Sequence, residues 1–185
     1  MATRLYFARS AAPVTPPAPG AEWEHASGNA AQALLTTPDS SALAIVTYTP
    51  DGADDIVDKD AFNTAFVSAP LAAQTLSGNV KAQFQTREAN AGNEQKLTLK
   101  IMVINNSGST VLNTPLAITR DNLEVSTTLT NRAFASTAIG SYACAAGDRL
   151  CIELGLGGLP VATGGTQGHN GGIQFGCSAA SGGSV

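Results

Sequence analysis

The carboxylates of this chain crowd in one place: Asp51, Asp54, Asp55, Asp58 and Asp60, five of its 14 acids. Clustered carboxylate oxygens are what a hard cation such as calcium requires. Their spacing does not follow an EF-hand loop, so the stretch reads as a solvated loop and no metal is assigned. His25 and His169 are the only histidines, far apart in sequence. A serine or cysteine nucleophile needs a base beside it and an acid that orients the base. His169 sits in Gly168-His169-Asn170-Gly171-Gly172, with no acidic neighbour. No GxSxG, P-loop or HExxH pattern occurs. Glycoside hydrolases pair carboxylates in space, not in sequence, but the single acidic stretch leaves few acids for such a pair. No catalytic, cofactor-binding or metal-binding residue is assigned, and the expectation is a protein that is not an enzyme.

The three cysteines are too few, and of odd number, for a disulfide scaffold. Cys144 and Cys151 flank Ala145-Ala146-Gly147-Asp148-Arg149-Leu150. A hairpin turning at Gly147-Asp148 would set them face to face and make a disulfide geometrically feasible. The alternative is two half-buried thiols in a reducing compartment, and that reading is preferred. Cys177 reads as a small core or rim residue.

These residues need a scaffold, and the composition limits its kind. The chain has 185 residues, a net charge of −4 and only 13% charged residues. The length suits one domain. The acidic balance argues against a binder that neutralises nucleic-acid phosphates. So little charge leaves a weakly polar surface, as expected of a protein that covers part of itself with partners. No apolar run is long enough for a transmembrane helix. The opening residues lack the apolar core of a secretory signal, since Arg9, Pro13 and the Pro16-Pro17 pair interrupt it.

The elements follow from periodicity. Val80, Ala82 and Phe84 alternate with Lys81, Gln83 and Gln85. Residues 97–103 alternate with a greasier second face. Leu123, Val125, Thr127 and Leu129 alternate with polar residues, as do Leu150, Ile152, Leu154 and Leu156, and then Ile173, Phe175 and Cys177. Residues 43–49 are a β-branched and aromatic run. Each predicts a strand with one buried face. Turn chemistry separates them: Pro50-Asp51-Gly52, Ala91-Gly92-Asn93, Asn105-Asn106-Ser107-Gly108-Ser109 and Ala146-Gly147-Asp148. Seven or eight short strands of this kind predict an all-β fold, an antiparallel β-sandwich. Residues 58–67 are compatible with one short helix. Residues 157–172 carry seven glycines and read as a long loop or a close backbone crossing.

Residues 1–22 read as an extended N-terminal arm, 23–178 as the sandwich and 179–185 as a flexible tail. Pro13, Pro16, Pro17 and Pro19 keep the arm out of the middle of a sheet. Leu5, Tyr6 and Phe7 give it an apolar tip that must dock somewhere, on its own subunit or on a neighbour. Trp23, between Glu22 and Glu24, predicts a partly buried ring.

Several segments together resemble a family of tailed-bacteriophage virion structural proteins. They are Thr3-Arg4-Leu5-Tyr6-Phe7 with the proline-rich stretch after it, Trp23-Glu24, and the run from Pro70 to Lys81. Leu129-Thr130-Asn131-Arg132 with Phe134 follows, then Ala146-Gly147-Asp148-Arg149-Leu150 leading into Ile152-Glu153-Leu154-Gly155, and finally Gly172-Ile173-Gln174-Phe175-Gly176. The matches run in order from end to end of the chain. The chain departs from the family after Gly176, where relatives continue with an acidic segment.

The resemblance implies a jelly-roll-like sandwich without catalytic residues. It implies a post in the virion, first of all as a capsid cement or decoration protein on the outer capsid surface. The partners would be the major capsid protein and copies of the chain itself in a homo-oligomer, with no nucleic acid, no membrane and no cofactor. The alternative post is a tail or fibre component that binds host-surface glycan, and the scarcity of aromatics, 5%, speaks against a sugar platform. The expected contact residues are Leu5, Tyr6, Phe7, Pro13, Pro16, Pro17, Pro19 and Trp23. Deleting residues 2–20 is expected to weaken assembly and leave the sandwich folded.

Overall fold

The structure is a computed structural model that describes residues 3–26, 31–39, 44–48, 58–89, 94–158 and 171–175. The acids Asp51, Asp54 and Asp55, His169, Cys177 and the tail lie outside the described residues. The strands are β1 Tyr6–Ala11, β2 His25–Ala26, β3 Gln32–Leu35, β4 Ala44–Tyr48, β5 Lys59–Ser68, β6 Gln74–Glu88, β7 Lys96–Ile104, β8 Val111–Glu124, β9 Thr130–Cys144, β10 Arg149–Gly158 and β11 Gly171–Phe175. No helix occurs among the described residues.

Two sheets share the strands. One runs β1-β3-β5-β10-β7-β8, with β2 also paired to β5; the other runs β4-β11-β6-β9. From β3 to β6 successive strands alternate between the sheets, and β9, β10 and β11 alternate again. This wrapping is jelly-roll-like, and the β7–β8 pair extends the first sheet at its far side. All pairings are antiparallel except those of β2 and β3 with β5.

The main core lies between the sheets. Phe66, Leu97, Leu99, Leu150, Ile152, Leu154 and Leu156 from the first sheet meet Val80, Phe84, Phe134, Ile173 and Phe175 from the second. Phe66 anchors it, edge-on to both Phe7 and Phe175. Aromatic rings favour such edge contacts because positive ring edge meets negative face.

Residues 58–67 are not a helix. Ala61, Phe62, Ala65 and Phe66 have helical spacing, but they lie on β5 in the middle of the sheet. The ladder with β10 places Thr64 opposite Leu154 and Phe62 opposite Gly155, so Asn63 is an extra residue. A bulge of this kind reverses which residues face which side. Phe66 therefore points into the main core while Phe62 points to the opposite face.

Residues 125–129 do not continue a strand either. β8 ends at Glu124, and the chain then crosses from the first sheet to β9 in the second. Leu123 is left 62% exposed and Val125 is buried. The Cys144–Cys151 hairpin is also corrected. β9 and β10 belong to different sheets, so residues 145–148 form a crossing rather than a hairpin. That crossing is a tight turn with Gly147 at φ +98°, closed by the Asp148 carboxylate accepting the Ala145 N–H at 2.8 Å. Both cysteines are buried and form no disulfide. Burial, with the nearby Glu153 carboxylate adding, pushes the Cys151 thiol up to about 12, which leaves it inert.

Candidate functional site

The arm is built into its own subunit. Residues 6–11 form β1, the edge strand beside β3, so part of the segment assigned to the arm belongs to the sheet. Phe7 is fully buried, with its ring centroid 4.5 Å from that of Phe66 and 4.8 Å from that of Phe84. Leu5 is half-buried against the same core, and Tyr6 is half-buried on β1. Of the two docking places open to the apolar tip, Phe7 takes its own subunit, which removes it from the expected contact residues.

Beyond β1 the chain crosses the outer face of the seven-stranded sheet. That face carries Phe62, Ala65, Val67, Met102, Ile104 and Cys151, and Ala12 and Val14 pack against it together with Trp23. The Ala12 N–H donates to the Ala31 carbonyl at 3.0 Å. Near the 105–108 turn the strap passes so close that a Cβ on Gly108 would meet the Thr15 carbonyl oxygen at 2.4 Å. Pro16, Pro17 and Pro19 are half-buried and Pro13 is exposed. Proline suits such a strap, since it has no N–H that would need a partner and its φ is already fixed.

The strap is fastened at residues 20–24, where the turn closes with the Trp23 N–H on the Gly20 carbonyl at 3.0 Å. Trp23 lies edge-on to Phe62, with centroids 5.8 Å apart, and its Nε1–H donates to the Glu153 carboxylate at 2.6 Å. Glu153 is 1% exposed. The Lys100 ammonium lies 3.3 Å from the same carboxylate and also pairs with Glu22. Glu153 and Lys100 are directly opposed on β10 and β7, so the ladder itself brings them together. Glu24 completes the fastening: its N–H donates to the Asp60 carbonyl, and its carboxylate accepts the Asp60 N–H at 3.1 Å.

The electrostatics favour a clasp over a reactive centre. Burial raises Glu153 above the ordinary carboxylate value, against the pull of the Trp23 N–H and Lys100. Burial draws Lys100 down, but Glu22 and Glu153 overcome it and hold the ammonium above the usual lysine value. Lys100 in turn holds Glu22 below the ordinary value. The charges are paired and hydrogen-bonded, as buried charges must be. Gly155 makes room for the ring: a Cβ there would lie 2.4 Å from Trp23 Cζ3 and 2.1 Å from the Ala61 carbonyl oxygen.

A second ion-pair group adjoins it. Arg120 bridges Asp58 and Asp60, at 2.6 and 3.0 Å, and Thr98 donates to the same Asp60 oxygen. Two members of the acidic stretch are thus held by an arginine. No group of three or more metal-ligating side chains occurs among the described residues.

Sequence reasoning singled out Trp23 and its flanking glutamates but missed their partners. Glu153 and Lys100 stand in strands whose outer positions should face water. The departure from polar alternation at Cys151, Gly155 and Met102 was the available signal that this face is covered.

No protein-family model matches the chain, and no curated protein matches it. Two crystal structures of a CocE/NonD family hydrolase from Staphylococcus aureus share the fold at 13% identity. One aligns with a TM-score of 0.51, covering 83% of this chain and 34% of the hydrolase. The other aligns with a TM-score of 0.55, covering 99% and 36%. The chain thus spans about a third of the hydrolase's length. A structure of infectious bursal disease virus, Gx strain, aligns over 93% of this chain and 37% of that one, at 14% identity and a TM-score of 0.29.

Proposed function

We propose that this chain is a bacteriophage virion structural protein. Its post is that of a capsid cement protein, which binds the major capsid protein on the outer surface of the head and stabilises it alongside further copies of itself. The role is mechanical and not catalytic. One observation carries the reading beyond the family resemblance: the exposed face of β6 and β9 is broad, small-featured and without acids. No Asp or Glu occurs in residues 70–87 or 125–147, in a chain of net charge −4. Thr75, Asn79, Lys81, Gln83, Ala133 and Ala138 are all exposed there. Short side chains such as Thr75, Ala133 and Ala138 lose little rotamer freedom on docking, and no carboxylate of this face has to be stripped of water.

With the strap engaged on its own sheet, this face replaces the arm as the contact surface. The β8 and β9 edges are poor candidates. β9 carries an extra residue against β6 at two places, and β8 pairs irregularly with β7 at four and contains Pro115. Bulges and proline blunt an edge against strand addition. Lys81 and Arg87 are the exposed cations of β6, and they suit an acidic partner surface.

The test is binding of the purified chain to phage heads stripped of it. The wild type binds with an affinity that falls as salt rises. Lys81→Glu combined with Arg87→Glu weakens binding by about tenfold or more, because like charge now meets like. A charge-reversed variant that binds as well as the wild type would remove this face from the account.

A further inference from the structure

At one end of the sandwich a buried carboxyl group joins the two sheets. Glu88 is the last residue of β6 and is 2% exposed. Its N–H donates to the Ser126 carbonyl at 2.9 Å, just beyond β8. Its Oε2 accepts the N–H of Gln95, ahead of β7, at 3.1 Å. The Gln95 carbonyl accepts the Val125 N–H at 2.7 Å. The Glu88 backbone thus holds Ser126 while its carboxyl holds Gln95, and Gln95 and Val125 are buried with it.

The groups facing Glu88 are mainly acidic. Glu124 and Glu94 stand next to Val125 and Gln95 in the chain, and their charges disfavour a further negative charge on Glu88. Among the cations, Lys96 is the cross-strand partner of Glu124. Arg87 falls on the exposed side of β6 by the strand's alternation, and Arg132 is engaged by Asp121 and the Leu123 carbonyl. Gly171 of β11, opposite Glu88, brings no charge.

We propose that Glu88 is a proton-operated buckle: protonated, it stays buried where the end of β6 meets residues 94–95 and 125–126, and ionised, its buried charge beside Glu94 and Glu124 lets that end of the sandwich open. Burial is the main force on its carboxyl, raising it to about 7; the Gln95 N–H opposes, and Glu124 and Glu94 add to the rise. The native protein thus keeps a proton that the unfolded chain gives up at the ordinary value of 4.5. By linkage, the stability this proton contributes is whole below 4.5 and is lost as pH rises through about 7. A buckle that loosens at neutral pH lets solvent conditions alter the end of β6 and residues 94–95 and 125–126 without unfolding the main core.

The experiment compares melting of the full chain and Glu88→Gln across this pH range. Glutamine keeps an oxygen for the Gln95 N–H and cannot ionise. The two proteins are expected to respond differently to pH: the wild-type midpoint falls by several degrees as pH rises through 7 relative to that of the variant. Parallel profiles would overturn the proposal. Should the variant not fold, carbon-13 titration of the wild-type Glu88 carboxyl decides. A midpoint near 7, with lower protection of the Gln95 and Val125 amides above it relative to the intrinsic exchange rate at each pH, supports the buckle. A midpoint in the ordinary carboxylate range overturns it.

Discussion

Phe7→Ala is expected to destabilise the sandwich by about 3–5 kcal/mol, the usual cost of emptying a buried phenylalanine site. For a domain of this size that lowers the melting midpoint by roughly 6–20 °C. Phe7 is fully buried and touches rings from both sheets, Phe66 on β5 and Phe84 on β6. Its loss leaves a void between the sheets that neighbouring rings cannot close without moving strands. Deleting residues 2–20 removes β1 as well and unpairs the edge of β3. That truncation is expected to unfold or aggregate, contrary to the sequence-based expectation of a folded sandwich. Differential scanning calorimetry of both variants checks this. A truncated chain that melts cooperatively near the wild-type midpoint would show that β1 is dispensable.

Glu153→Ala is the second large effect. It strips the acceptor from the Trp23 indole and one of two carboxylates from Lys100. Breaking a buried pair by removing one member costs about 3–5 kcal/mol, because the other is left without compensation. Glu153→Gln costs less, since its amide oxygen still accepts the indole N–H and Lys100 keeps Glu22. The sole tryptophan of the chain makes the result directly visible. In Glu153→Ala the emission should shift to the red and the urea midpoint should fall, as the strap loosens from the outer face. Unchanged emission and midpoint would mean that the clasp does not hold the strap.

The parts of this fold that were legible in the sequence are those with one wet and one dry face. β6 alternates cleanly, and its inward Val80, Ala82 and Phe84 were read correctly. β7 and β10 were found, but their second buried face was not explained, because its cover comes from residues 12–24, distant in sequence. β5 escaped for a related reason. It is buried on both faces, and the Asn63 bulge gives it helical spacing. Most of β9 lacked any signal: Ala133, Ala135, Ser136, Ala138 and Ser141 are small and exposed, so no hydrophobic period marks them. At the candidate site the strap's residues were identifiable from their prolines and aromatics. Their destination was not, since nothing local distinguishes docking on the same subunit from docking on a neighbour. The geometry favours the same subunit, with Trp23 seated over Gly155 and bonded to Glu153.

Cement is a claim about place and copy number, and immunogold electron microscopy of purified particles, with antibody against this chain, tests it most directly. The account predicts label spread over the whole head. Label confined to the tail, or no label on intact particles, would contradict it.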